Sequence, residues 1–494
     1  MTREGTRHRG RRKPSVAAQL PWRQPVNRWR PLDVLSADHV EAIHGASLRV
    51  LEQIGVRFAS PRAQDFLVRG GARVDRATGR VHFERDLVAA SVARGPGSFT
   101  VRGRHPGRDV VIGDGHLTFA SVAGPAHATD NERGRRPGSF ADLGDALRLI
   151  HAVNAVHVLG GAPIAPLDLP PATRHLDTLH AFLTLTDRVF TVWPRGRGAA
   201  GDALDLLGIA LGMERAALAA EPRALVGINA DSPLGFDGPA LDGMIDLALA
   251  GQAVVVTPFI LAGGTAPASL AGALVQQNAE ALAGITLVQL VRPGTPVVYG
   301  GFTTGVDMRS AAPAFGTPET AKAALAAGQL ARRYGLPYRA SAFTSAKAVD
   351  AQAAYESQMA LWGAMLGGAH LVQHAAGWLD GGATFGFEKL ILDVEMLQML
   401  AETLKPLDTN EDELGLAAMR EVGPGGHFFG AAHTLARYET AFYAPLLSDW
   451  RNFEAWREDG ARDATQRAHR LYKELLRDFE APPLEASTRE ELDD

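Results

Sequence analysis

The sequence predicts an α/β fold, a (β/α)8 barrel with an N-terminal α+β extension and a C-terminal helical cap. Three observations point there. From Pro293 to Lys389 short apolar runs bounded by Gly or Pro alternate with helical stretches long enough to cross back over a sheet, which is repeated βαβ. About seven such strand runs can be found, and an eighth fits in 114–123. Polar residues gather at the ends of these runs, in Tyr299 to Asp307, Phe343 to Asp350 and Gln373 to Trp378, where parallel α/β folds build their sites. A doubly wound open sheet is the structural alternative.

The elements follow in order. Residues 1–32 carry nine Lys/Arg against one Glu, with Pro punctuation, and read as a disordered, dispensable basic tail. At 36–140 we expect the α+β extension: an amphipathic helix capped by Ser36 and ended by Gly55, then a hairpin with its turn between Val74 and Val81. The barrel is expected over 141–400, with strands at 155–164, 188–194, 224–230, 253–261, 296–300, 338–343 and 370–375. A long helix starting near Ser269 is stopped by Pro293-Gly294. Residues 401–480 turn helical and are expected to cap the barrel, while 481–494, acidic and Pro-bearing, should fray.

Composition excludes several functions. The 494 residues contain no cysteine, so disulfides, thiolate zinc sites, cysteine-ligated iron–sulfur clusters and Cys nucleophiles are out. A formal charge of −5 argues against nucleic-acid or anionic-membrane binding. No apolar run reaches the length of a membrane span, and the Arg-rich start has no apolar core of a secretory signal, so a cytoplasmic protein is expected. Neither GxGxxG at the head of a βαβ unit nor a Walker-type loop occurs.

Six ordered blocks carry a family resemblance: SPLGFDGPALDGMIDLALAG at 232–251, LAGALVQQNAEALAGITLVQLVRPGTPVVYG at 270–300, FGTPE at 315–319, YGLPYRASAFTSAKAVDAQAAYE at 334–356, TFGFEKLILDVEM at 384–396 and VGPGGHFFGAAHT at 422–434. Together they resemble the trimethylamine methyltransferase family of corrinoid-dependent methyltransferases. The resemblance implies a barrel that delivers a methyl group from an amine to the cobalt of a corrinoid held on a separate small protein, with no metal bound directly. Trimethylamine-specific members carry pyrrolysine just before a stretch like the TSAK at 344–347, and here Phe343 stands in that place. A member without that electrophile suits a quaternary amine such as glycine betaine, because losing a methyl leaves a neutral nitrogen with no proton to move.

A quaternary cation calls for an aromatic box, and Trp193, Tyr299, Phe302, Phe343 and Trp378 lie at expected strand ends. Core packing is the competing role for each of them. A carboxylate on the substrate would need a cation or donor, for which Lys347, Gln373 and His374 are candidates, Lys347 best placed by motif and able to pair with Asp350. Glu356 and Glu388 fall inside helical patterns and suit structural ion pairs. His427 and His433 lack a third ligand at a metal-binding spacing. A homo-oligomer is expected. Two other readings stay open: a catalytically idle amine-binding barrel and a metal-assisted barrel hydrolase or lyase.

Overall fold

A computed structural model describes residues 19–494. Eight parallel strands close into a barrel: β1 (Thr118–Ser121), β2 (Val158–Leu159), β3 (Val189–Val192), β4 (Leu225–Ile228), β5 (Ala253–Val256), β6 (Val297–Gly300), β7 (Tyr338–Ser341) and β8 (Leu371–Ala376). Each is followed by its own helix: α1 (Phe140–Ala152), α2 (Arg174–Leu185), α3 (Arg197–Leu211), α4 (Gly238–Leu249), α5 (Leu270–Val291), α6 (Pro318–Arg333), α7 (Ala351–Leu366) and α8 (Phe387–Thr403). The strand hidden in 114–123 is β1, so the barrel begins before the expected boundary at 141.

Strands buried on both faces read as continuous apolar runs, which is why they stood out. The lower lumen is filled by Ala120, Val158, Val189, Leu225, Ala253, Val298 and Leu371. Val101, Val110 and Ile112 of the hairpin Phe99–Val101/Val110–Ile112 join this cluster and plug the barrel from below.

The N-terminal layer explains the composition of α5. That helix is buried along nearly its whole length, because one side packs on the barrel while the helices Ala37–Arg49, Pro61–Arg69 and Arg85–Val92 cover the other. Ser36 caps the first of these by accepting from the His39 amide at 3.2 Å, and Val74 pairs with Val81 across the expected hairpin.

Both termini depart from expectation. Residues 1–18 of the basic tail lie outside the described residues, but 19–32 are not a loose tail. Leu117 and Asn27 amides donate to Pro25 and Gly115 carbonyls at 2.8 Å, and Gln24 Nε2 reaches Thr118 Oγ1 at 2.6 Å, at the base of β1. Trp22 packs edge-on against His157, 5.6 Å between centroids, with the Arg108 guanidinium 5.0 Å over its ring. A Trp, Gln and Pro set too sparse to show a period therefore seals the barrel floor. At the other end, residues 486–493 form a helix with Leu492 buried and Asp493 2.7 Å from His180, rather than fraying. The helix Ala464–Arg477, held by an Asp463/Gln466 capping box, lies along α8 and α1.

Candidate active site

The strand register decides which side chains enter the lumen. Gly300 is paired with Arg339, Arg339 with Leu371 and Ser341 with Gln373, so these share one face with the lumen residues below them. At this level β2, β4 and β6 contribute Gly160, Gly227 and Gly300, where a barrel would ordinarily place bulky side chains. Their missing side chains make room for neighbours: a Cβ on Gly227 would meet the Trp193 ring at 2.8 Å, one on Gly160 would meet Gln373 Nε2 at 2.2 Å, and one on Gly300 would meet Thr257 Oγ1 at 2.3 Å.

Above this layer an aromatic cluster forms. Phe302 continues β6 into the strand Phe302–Val306 and stacks with Phe343 at 5.1 Å and 17°. His374 lies 5.4 Å from Phe302 and 4.5 Å from Trp378, and Trp378 lies 6.0 Å from Phe343. Phe315 closes the group, 4.6 Å from Phe343 and 5.6 Å from Trp378. All five rings are buried and pack on one another, so a ligand must part them to enter. A cavity lined by Gln277, Thr303, Thr320, Tyr338, Ser341 and Phe343 borders the cluster on its helix side.

Local backbone features aim these side chains. In a regular strand Gln373 and His374 would face opposite ways, yet both reach the lumen because the β8 register slips between Val372 and Ala376 and His374 adopts φ +61°. Such a conformation in a non-glycine residue persists only where its surroundings enforce it. Trp378 donates its indole N–H to the Thr344 carbonyl at 2.9 Å, and a Cβ on Gly382 would meet its ring at 2.5 Å. Behind it Asp393, in buried contact with Lys389, accepts from the Gly377 amide at 2.8 Å. Among the described residues Glu356 makes no ion pair; it braces the TSAK loop by accepting from Thr344 Oγ1 at 2.5 Å and the Ser345 amide at 2.7 Å. Glu388 does pair, with His469 at 2.6 Å.

The electrostatics are lopsided. Arg339 is buried in the lumen with its guanidinium 5.2 Å over Phe302, and desolvation pushes its pKa down to about 9, so it stays charged at neutral pH. Burial, with Arg339 adding repulsion, holds the His374 pKa well below the ordinary value and keeps the imidazole neutral.

Of the residues expected in the site, Phe302, Phe343, His374 and Trp378 come together. Gln373 and Trp193 meet just below, both donating to the Gly160 carbonyl, at 2.9 and 2.8 Å. Tyr299 is not among them. Its register turns it to the helix side, where its hydroxyl donates to Asn278 Oδ1 at 3.0 Å and its ring lies against Tyr334. Nor is Lys347, an exposed residue whose Nζ donates to the Ser345 carbonyl at 2.6 Å. Asp350 forms no pair with it and instead caps α7, accepting from the Ala353 amide. His433 bonds to the Asp412 carbonyl, and among the described residues no three His, Cys, Asp or Glu come together as a metal-holding group. Arg339 and Phe315 were missed. An arginine inside the apolar run LPYRASAF was the available signal for the first, since a strand buried on both faces has no ordinary use for a charge.

The fold and site define a (β/α)8 enzyme whose mouth is walled by aromatic rings over a buried cation. The chain belongs to the trimethylamine methyltransferase (MTTB) family, whose pattern it matches over residues 2–494, and it is a methyltransferase of that family. It is similar to the glycine betaine methyltransferase of Desulfitobacterium hafniense (strain Y51), 35% identical over 92% of this chain and 94% of that one. To the trimethylamine methyltransferase MttB of D. hafniense (strain DSM 10664 / DCB-2) it is 29% identical, over 91% and 90% of the two chains. The crystal structure of the monomethylamine methyltransferase MtmB of Methanosarcina barkeri superposes with a TM-score of 0.48 at 10% identity, covering 89% of this chain and 92% of that one.

Proposed function

We propose that this methyltransferase takes a methyl group from a quaternary amine of the glycine betaine kind and passes it to Co(I) of a corrinoid on a separate small protein. The observation that supports this most is the cluster of Phe302, Phe343, His374 and Trp378, with Phe343 where activation of a tertiary amine would need an electrophile. A phenyl ring can neither bond nor protonate an amine nitrogen. It can hold a quaternary cation by its π-face, at about 0.5–2 kcal/mol per ring.

The displacement is balanced without acid or base. The C–N bond breaks with its electrons on nitrogen, giving a neutral tertiary amine, and the Co(I) electron pair forms the new bond to carbon. The chain's own residues position the donor and exclude water. Trp193, supported by Gly227 and anchored on Gly160, forms a wall beneath the rings. Neutral His374 adds no second positive charge to repel the substrate.

The residues present fit an acceptor that arrives from outside. The lower lumen is packed with aliphatic side chains and plugged by the hairpin, so the macrocycle is presented at the mouth. The test is product identification: with glycine betaine and Co(I) cobalamin, the chain should release dimethylglycine in a one-to-one ratio with methylcobalamin. Binding of betaine with no dimethylglycine formed would leave a binding protein in place of an enzyme.

A further inference from the structure

Arg339 is a buried cation without a counter-ion among the described residues. It is 2% exposed, and among the described residues no carboxylate lies within ion-pairing distance of it. Among the described residues its one hydrogen bond is Nη1 to the Gly301 carbonyl, at 3.3 Å, out of the five N–H donors a guanidinium carries. Arg188, another deeply buried arginine of the barrel, donates Nη2 to the His151 and Val153 carbonyls and has Asp187 nearby, although its Nε and Nη1 also lack partners among the described residues. A desolvated guanidinium with a single long bond is a costly arrangement, which a fold tolerates where a ligand supplies the missing charge.

A second unpartnered donor stands beside it. Thr257 Oγ1 is buried and has no hydrogen-bond partner among the described residues, and it sits against Gly300, the residue paired with Arg339. Gly300 has no side chain, and a Cβ there would meet Thr257 Oγ1 at 2.3 Å. Both donors lie in the lumen layer beneath the aromatic cluster, and Arg339 and the cluster share one ring: Phe302 has the guanidinium carbon at 5.2 Å and the Phe343 and His374 rings at 5.1 and 5.4 Å.

We propose that Arg339, with the hydroxyl of Thr257, is the carboxylate-binding subsite of the methyl donor, so that the barrel selects a zwitterion carrying its quaternary nitrogen and carboxylate a few carbons apart. This rests on the quaternary-amine reading above and narrows it. The planar guanidinium can grip both carboxylate oxygens, and the same carboxylate accepts the threonine hydroxyl. The anion seats deep in the lumen while the trimethylammonium end rises among the rings and faces the mouth. A short spacer also excludes longer chains, because Phe302 touches both ends of the site.

The test uses the full chain and four probes: glycine betaine, tetramethylammonium, choline and acetate. Calorimetry on wild type should show betaine bound at least thirtyfold more tightly than tetramethylammonium or choline, and acetate should raise the melting temperature. R339M should lose at least thirtyfold in betaine affinity and all acetate stabilisation, while its tetramethylammonium affinity stays within threefold. T257V, which keeps the arginine, guards against misfolding of R339M and should lose three- to tenfold on betaine alone. Wild-type affinities for betaine and tetramethylammonium within threefold of each other would overturn the subsite while leaving the quaternary-amine reading standing. The reverse pattern, arginine-dependent acetate binding with no affinity for any quaternary amine, would preserve the anion site and sink the amine reading on which the proposal depends. Equal losses on all probes in T257V would also overturn it, since they would mean that the threonine only supports the barrel.

Discussion

Trp193 lies against the α-carbon of Gly227, so closely that a methyl group there would stand 2.8 Å from three atoms of its ring. The indole is fixed at its other edge by the bond to the Gly160 carbonyl. G227A must therefore displace the ring. We expect tetramethylammonium to bind G227A about five- to thirtyfold more weakly, in line with about 1–2 kcal/mol of lost cation–π contact, with the melting temperature little changed. Unchanged affinity by calorimetry would show that the indole is not part of the amine site.

Lys347 makes the opposite case. Motif position puts it beside the site, but its ammonium is exposed and bound to its own loop. K347M should keep kcat/KM for glycine betaine within about twofold, the scale of an exposed polar contact. D350A should leave betaine affinity alone and destabilise the fold by about 1 kcal/mol in urea titration, because it removes the cap of α7. A tenfold loss of betaine turnover in K347M would return the lysine to the site.

The segment 19–32 should be required for stability. A chain beginning at residue 19 and one beginning at residue 33 differ by the strap that carries Trp22 onto His157 and Arg108. Removing a half-buried tryptophan and its hydrogen-bonded neighbours should cost at least about 3 kcal/mol in denaturant unfolding. Equal stability of the two chains would mean the strap is ornamental.

Two buried histidines, His157 and His374, and the half-buried His370 set the acid limit. His157 is pushed down to about 3 and His370 to about 4, mainly by desolvation, and His374 is held well below its usual value. His157 Nδ1 accepts from the Phe119 amide, so Nε2 carries the proton and donates to the Arg23 carbonyl, the neutral tautomer. A base whose folded pKa is depressed is protonated first in the unfolded chain. Stability is therefore full above about pH 6.5 and falls as the pH drops toward 4, by about 1.4 kcal/mol per pH unit for each histidine. Between pH 5 and 6, H157N should lower the slope of unfolding free energy against pH by that amount. An unchanged slope would place the titration elsewhere.

The barrel was legible because strands buried on both faces announce themselves as apolar runs, and helices such as α6 follow at a fixed rhythm. Position along a strand was enough to bring Phe302, Phe343 and Trp378 into one cluster. It failed at Tyr299, where one residue of register separates lumen from helix layer. His374 reaches the lumen only through a bulge and a left-handed residue that no periodicity announces. The strap at 19–32 hid for a related reason: its contacts are to distant parts of the chain, and local composition carries no trace of them.

The central claim is that an aromatic mouth without an electrophile transfers a methyl from a quaternary nitrogen. F343L keeps apolar volume and removes a π-face, so it serves as the internal control, with an expected loss of about 1 kcal/mol in quaternary-amine binding. The most direct measurement is the initial rate of methylcobalamin formation from Co(I) cobalamin, followed by absorbance, with glycine betaine and with trimethylamine at equal concentration. Rapid conversion with betaine and a rate lower by orders of magnitude with trimethylamine is the expected result. Trimethylamine turnover equal to or faster than that of betaine would contradict it.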